Sequence, residues 1–183
     1  MSVFELWLPI LLAGLAVHVA STLAWMVLPH HKPEWQKCGA EDELIDLFES
    51  KGVAAGQYLF PFAREPSEMQ AEEYKQKVGK CRGTLILWPS PPNMGANIGL
   101  TVAHFMAASF VVGYLASLGV DRGARFLEVF QFATTAGVLT HVFCGLPHVI
   151  WFRRRVAMEV LDGVAYALIT GLVFAALWPA ASA

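Results

Sequence analysis

The chain has 183 residues, of which 56% are hydrophobic and only 15% are charged, whereas soluble domains average roughly 25% charged residues. A single soluble core of this size does not need so much apolar sequence, so the composition favours a protein embedded in lipid. The formal net charge of −2 argues against a broadly basic surface for nucleic acid. The three cysteines form no CxxC pair, and their odd number is not that of a disulfide framework: Cys38, Cys81 and Cys144.

Four apolar stretches are long enough to cross a hydrocarbon core, which takes about 20 helical residues. They run over residues 4–28, 95–119, 126–150 and 158–178, and no charged residue interrupts their central portions. The first five residues contain no Lys or Arg, which favours a retained transmembrane anchor over a cleaved signal peptide. We therefore predict an all-α membrane protein in which four transmembrane helices form a bundle.

The segment between the first two stretches, residues 29–94, holds most of the charges of the chain. A capping box of Ser67 and Gln70 is predicted to open one of its helices. Two helices and two strands in so few residues indicate a small α/β insertion. They are a helix over 41–51, a strand at 57–60, the helix after Ser67 and a strand at 84–88. We expect this insertion to bind another membrane or cytoplasmic protein.

The basic residues predict how the chain is oriented. The loop after the third stretch lies on the same side as residues 29–94 and contains three consecutive arginines, Arg153, Arg154 and Arg155. The opposite side has two arginines, Arg122 and Arg125. The positive-inside rule then places residues 29–94 in the cytoplasm and both termini outside.

Three histidines lie inside the predicted spans: His18, His104 and His141. Each is about nine or ten residues from the cytoplasmic end of its span, so at about 1.5 Å per residue all three share one depth. Ionisable residues in spans usually face the interior, and three imidazoles in one layer form a candidate haem or metal site. The alternative is that each stays neutral and hydrogen-bonds across helices, which is worth only about 1 kcal/mol. In the third span, where Pro147 is predicted to kink the end, the inward stripe is predicted to contain Thr134, Gly137, His141, Cys144 and His148.

A second polar group lies where the spans meet the cytoplasmic surface: His30, His31, His148 and Asp162. Imidazole and carboxylate groups are ordinary zinc ligands, so these four residues form a candidate metal site. They are also suited to act as acid and base in a lipid-modifying enzyme at the boundary. The structural alternative is that His148 and Asp162 pair and hold the third and fourth helices together.

Five short patterns are spread over most of the chain: LPHH at 28–31, GQYLFP at 56–61, PPNMG at 91–95, PHVIWF at 147–152 and DGVAYA at 162–167. Together they resemble an uncharacterised family of bacterial inner-membrane proteins with four predicted helices. The resemblance implies a location in the bacterial inner membrane and brings no established activity. It gives more weight to the boundary group, because His30, His31 and His148 lie in these patterns whereas His18 and His104 do not.

The sequence contains no Walker loop, no dinucleotide fingerprint and no GxSxG elbow. We therefore expect a non-enzymatic accessory or scaffold protein that needs no cofactor, lies in the lipid bilayer and binds a partner through residues 29–94. The first rival is a metal- or haem-binding redox protein that uses either group of histidines. The second is the lipid-modifying enzyme.

Overall fold

The computed structural model describes residues 1–152 and 156–181. The predicted basic loop of Arg153, Arg154 and Arg155 lies outside the described residues. The chain divides into two compact units, one formed by Met1–Gln36 with Asn93–Ala183 and the other by Lys37–Pro92. The residues just after the first span therefore belong to the helical unit, although the sequence assigned them to the insertion.

The four longest helices are the membrane-length helices that the sequence predicts. Each combines sufficient length with a mean hydropathy of 1.4 to 2.0, because it contains long runs of apolar residues with few charges. In chain order the elements are α1 (Val3–Val27), α2 (Glu41–Ser50), β1 (Gly56–Phe60), α3 (Glu72–Lys80), β2 (Gly83–Leu87), α4 (Met94–Gly119), α5 (Phe126–Trp151) and α6 (Val156–Ala176).

Glycines let the long helices approach one another closely. Helix α5 packs most extensively on α6, and α1 packs on both α4 and α6. A Cβ atom added at Gly163 would lie 2.7 Å from the carbonyl oxygen of His141. One added at Gly137 would lie 3.0 Å from the Cα atom of Ala167. Small residues of this kind give helices in lipid their close contacts, and the contact at Gly163 is one residue away from Asp162.

Replacing Gly163 with alanine is expected to destabilise the protein by about 1–3 kcal/mol, the usual effect of overpacking. The added methyl group would meet a backbone oxygen, which cannot rotate away. Thermal unfolding in a mild detergent measures the effect. Gly99→Ala is the matched control, because a Cβ atom at Gly99 meets nothing within 4 Å. Equal stability of the two variants would contradict the close approach of α5 and α6.

Helix α5 is irregular in its second half. It is α-helical over Phe126–Val138, forms a π-helical turn over Leu139–Phe143 and resumes over Leu146–Trp151. The sequence predicts a kink at Pro147, and the helix is interrupted just before this residue. Proline causes such breaks because it lacks the amide hydrogen and its ring clashes with the carbonyl group four residues earlier.

The π-helical turn changes which side chains of α5 face the other helices. Such a turn contains one residue more than an α-helical turn, so the side chains that follow are rotated by about 100°. The inward stripe predicted from a regular helix is therefore wrong at His148, which is exposed, whereas Val142 and Val149 are buried. Cys144 is also exposed, but it lines a cavity between the helices.

In the unit of residues 37–92, β1 and β2 pair antiparallel, with Tyr58 opposite Leu85. Both predicted helices and both predicted strands are present. The predicted capping box is wrong, because Ser67 has helical backbone angles (φ −60°, ψ −39°) and its side chain caps no helix, whereas an N-cap residue is normally extended. None of residues 37–92, all of which the structure describes, is buried, as expected of a unit too small to form a core of its own.

Candidate metal centre

The end of α1 sets two histidines just beyond the helix. The helix closes with a π-helical turn whose last hydrogen bond joins the amide of Leu28 to the carbonyl oxygen of Leu23 at 2.9 Å. Leu28 is extended (φ −74°, ψ 146°), as expected of a residue that precedes a proline. A single 3-10 turn over Lys32–Glu34 follows. Within this turn, the amide of Glu34 donates to the carbonyl oxygen of His31 at 3.0 Å, which brings these two residues to the same side of the turn.

Asp162 joins this segment to α6. The residue lies in the second turn of that helix and is only 9% exposed. Its Oδ1 atom lies 3.0 Å from Nε2 of His30, and its Oδ2 atom lies 2.9 Å from Nε2 of His31. The hydroxyl group of Tyr166, one helical turn further, donates to Oδ2 at 3.3 Å. A single buried carboxylate thus binds two histidines and a tyrosine.

Both ring nitrogens of His31 and one face of its ring contact neighbouring side chains. Its Nδ1 atom lies 2.7 Å from Oε1 of Glu34. The ring stacks on Trp25 with centroids 3.8 Å apart and an interplanar angle of 5°, and the residue is 3% exposed. A carboxylate on the second nitrogen fixes both the orientation and the tautomer of a histidine, and metal-ligating histidines are usually supported in this way.

The hydrogen bonds of His31 need one more proton, or a cation, than a neutral ring between two ionised carboxylates provides. An ionised carboxylate only accepts hydrogen bonds, and a neutral imidazole has a single N–H to donate. The extra proton lies on the second ring nitrogen or on one of the carboxyl groups, or a cation takes its place. Burial lowers the pKa of His31, but the hydrogen bonds with Asp162 and Glu34 outweigh it, so the pKa lies above its usual value.

The spacing of these groups fits a metal ion. His30, His31 and Asp162 each offer one ligand atom, and the three atoms lie within 4.8 Å of one another. Bonds of about 2.0–2.1 Å in a tetrahedral site put neighbouring ligand atoms about 3.3 Å apart. The Nε2 atoms of His30 and His31 lie 3.0 and 2.9 Å from different oxygens of Asp162, so the side chains would have to shift for both nitrogens and one oxygen to reach a single ion. Among the described residues, no other group of three such side chains lies this close together.

A cavity of about 400 Å³ lies beside this group, and His31 and Asp162 form part of its wall. The remaining wall includes polar side chains from α4 and α5, namely His104 and His141, together with Tyr166 from α6. His31 and Asp162 therefore border a space between the helices whose wall also contains other polar side chains.

The three histidines predicted to lie inside the membrane do not form one metal-ligand group in the part of the chain that the structure describes. The buried ring of Phe105 lies among them, with its centroid 6.3 Å from that of His18, 5.3 Å from that of His104 and 6.2 Å from that of His141. Nδ1 of His18 and Nε2 of His141 are buried and have no hydrogen-bond partner among the described residues.

His148, the fourth member of the predicted boundary site, is not part of the group. Its ring contacts that of Phe152, with centroids 4.5 Å apart, and it is exposed near the end of α5. The hydrogen-bond partners of the Asp162 carboxylate are His30, His31 and Tyr166. The structure thus brings together three of the four residues predicted for this site.

Glu34 and Trp25 take part in the site, although the sequence analysis assigned neither to it. The signal for Glu34 is its position three residues after His31, a spacing that faces one side of a 3-10 turn. Trp25 lies six residues before His31, and nothing in that spacing indicates a stacked pair.

Comparisons of the chain with known protein families, characterised proteins and solved structures give no match. What the site does has to be inferred from its own residues.

Proposed function

We propose that this chain is an integral membrane protein that binds one divalent transition-metal ion through Nε2 of His30, Nε2 of His31 and a carboxylate oxygen of Asp162. The observation that carries the proposal is that both ring nitrogens of His31 face carboxylate oxygens, at 2.7 and 2.9 Å. A neutral imidazole donates to only one such oxygen, so the site needs either a bound cation or an extra proton on the ring or on one of the carboxyl groups.

Charge balance favours the metal ion. The side chains of Asp162 and Glu34 are 12% and 10% exposed, and buried carboxylates are costly unless they are paired. One divalent ion neutralises both carboxylates and leaves His30 and His31 in their neutral forms. Without it, the same neutrality requires two extra protons. On the two imidazole rings, whose centroids are 4.3 Å apart, like charges disfavour each other's ionisation, and on the carboxyl groups the protons remove the negative charge itself.

The ligand set restricts which ions fit. Two histidines and one carboxylate are found in catalytic zinc sites and in non-haem iron(II) sites. Glu34 would remain outside the coordination sphere and would hold His31 by its other nitrogen. Under the orientation predicted from the basic residues, the ion would lie at the cytoplasmic boundary of the membrane. A partner that binds residues 29–94 and a lipid-modifying activity remain separate proposals, and neither is supported by a contact comparable to those of His31.

Metal binding to the purified protein tests the proposal. In a mild detergent we expect one equivalent of Zn²⁺ or Fe²⁺ per chain and a rise in the unfolding temperature. Free metal at 100 times the dissociation constant stabilises the folded state by about 2.7 kcal/mol. His148→Ala is the matched control, because this histidine is at the same end of the helices and outside the group. It should bind metal with unchanged stoichiometry and affinity.

Two results would overturn the proposal. The first is a protein that takes up no metal and shows no thermal shift with either ion. The second is metal uptake that disappears in His148→Ala, which would place the ligands elsewhere.

A further inference from the structure

The proposed metal ion would not be fully coordinated by the protein. Three protein ligands leave at least one coordination position open, as in catalytic zinc sites. His31 and Asp162 line the cavity of about 400 Å³ as well as forming two of the three ligands. The cavity is therefore the space into which an open position of the metal would point.

We propose, on the basis of the proposed metal site, that this cavity binds a small molecule with an apolar body that coordinates the metal ion through an oxygen atom. The volume of the cavity is at the low end of the range for small-molecule sites, about 300–1,000 Å³. A purely structural metal site, by contrast, has no open coordination position, because four protein ligands surround the ion.

The lining determines the chemical class of the molecule. Trp25 and Phe105 contribute aromatic rings that suit an apolar body. Nε2 of His141, a residue that also lines the cavity, is buried without a hydrogen-bond partner among the described residues. An unsatisfied buried polar group is costly, and a polar group of the bound molecule would satisfy it.

Gly145 offers a way to fill the cavity without disturbing the ligands. The residue lines the cavity at the break in α5. A Cβ atom built there meets only the carbonyl oxygen of Val142, at 3.9 Å. Its φ of −88° is accessible to any residue. Gly145→Leu is therefore expected to fold, to bind metal and to occupy part of the cavity.

The test uses the full chain in detergent, loaded with one equivalent of Co²⁺, whose visible spectrum reports its coordination. Acetohydroxamic acid, a small oxygen-donor ligand that releases a proton and coordinates the metal ion as its hydroxamate, is the probe. We expect a saturable spectral change in the wild-type protein and at least tenfold weaker binding in Gly145→Leu. Gly99→Leu is the matched control, since Gly99 has open space around it and does not line the cavity. It should behave as the wild type.

Chemical modification of Cys144 in the folded protein also tests whether the probe binds in the cavity. Cys144 is exposed and lines the cavity, and replacing Cys38 and Cys81 with serine leaves it as the one thiol of the chain. Labelling with benzyl methanethiosulfonate should abolish acetohydroxamic acid binding while Co²⁺ stays bound. Reduction of the mixed disulfide and removal of the reductant should restore it.

Each outcome has a separate meaning. Loss of probe binding in Gly145→Leu and in the labelled protein, with Co²⁺ retained, supports the cavity as the binding site. Co²⁺ that binds but does not respond to the probe in the wild type overturns this inference and leaves the metal site intact. Equal probe binding in Gly145→Leu and Gly99→Leu also overturns it, because the open position would then be reached from elsewhere. Failure of Co²⁺ to bind at all overturns both the proposed metal site and the proposed binding of a small molecule in the cavity.

Discussion

Asp162→Asn is expected to abolish stoichiometric metal binding, with a loss of affinity of more than about 100-fold. Loss of a group that merely supports a ligand already costs about 10- to 100-fold, and Asp162 is itself a proposed ligand. The amide keeps the shape of the side chain but removes its negative charge. It also turns one oxygen that faces a histidine nitrogen, at 2.9 or 3.0 Å, into an NH₂ group. Competition with a chelator of known affinity measures the loss.

Asp121→Asn is the matched control for this variant. Asp121 is exposed in the connection between α4 and α5, and the same chemical change there should leave metal affinity unchanged. If Asp162→Asn retains one tightly bound metal ion, the ligand assignment is wrong. If neither the wild type nor the variant binds metal but the variant is less stable by about 3–5 kcal/mol, Asp162 belongs to a buried ion pair with protonated histidine.

Much of the helical architecture could be predicted because it depends on composition alone. A run of 20 or more apolar residues without charges has few alternatives to a helix in lipid, and the four long helices lie close to their predicted bounds. The error in α5 has a physical cause. The direction of each side chain was inferred from a regular α-helical repeat, and the π-helical turn over Leu139–Phe143 rotates the side chains after it, so that His148 is exposed.

The site could be predicted only in part, because depth in the membrane is readable from a sequence whereas position around a helix bundle is not. Counting residues from the helix ends placed His30, His31, His148 and Asp162 at one boundary, and three of them do meet. Asp162 is 132 and 131 residues from the two histidines it contacts, so no local spacing could distinguish them from His148. For the same reason, the shared depth predicted for His18, His104 and His141 could not show that Phe105 lies among them.

Glu34→Gln is expected to weaken metal binding by about 10- to 100-fold without changing the stoichiometry, the usual effect of removing a carboxylate that supports a metal-ligating histidine. The Oε1 atom of Glu34 lies 2.7 Å from Nδ1 of His31, and its charge makes the opposite nitrogen a better donor to the metal. Glutamine retains an oxygen at the same place and loses the charge, so the ring should stay in position on Trp25. Zinc titration against a competing chelator measures the change.

Glu72→Gln is the matched control, because Glu72 is an exposed residue of α3 whose hydrogen bond is to Lys75. Its removal should leave the affinity within experimental error of the wild type. Unchanged metal affinity in Glu34→Gln would mean that the contact with His31 does not act on the metal. Complete loss of the metal would instead make Glu34 a ligand in its own right. An intermediate loss is the result specific to the proposed arrangement, in which Asp162 binds the ion from one side of His31 and Glu34 fixes the ring from the other.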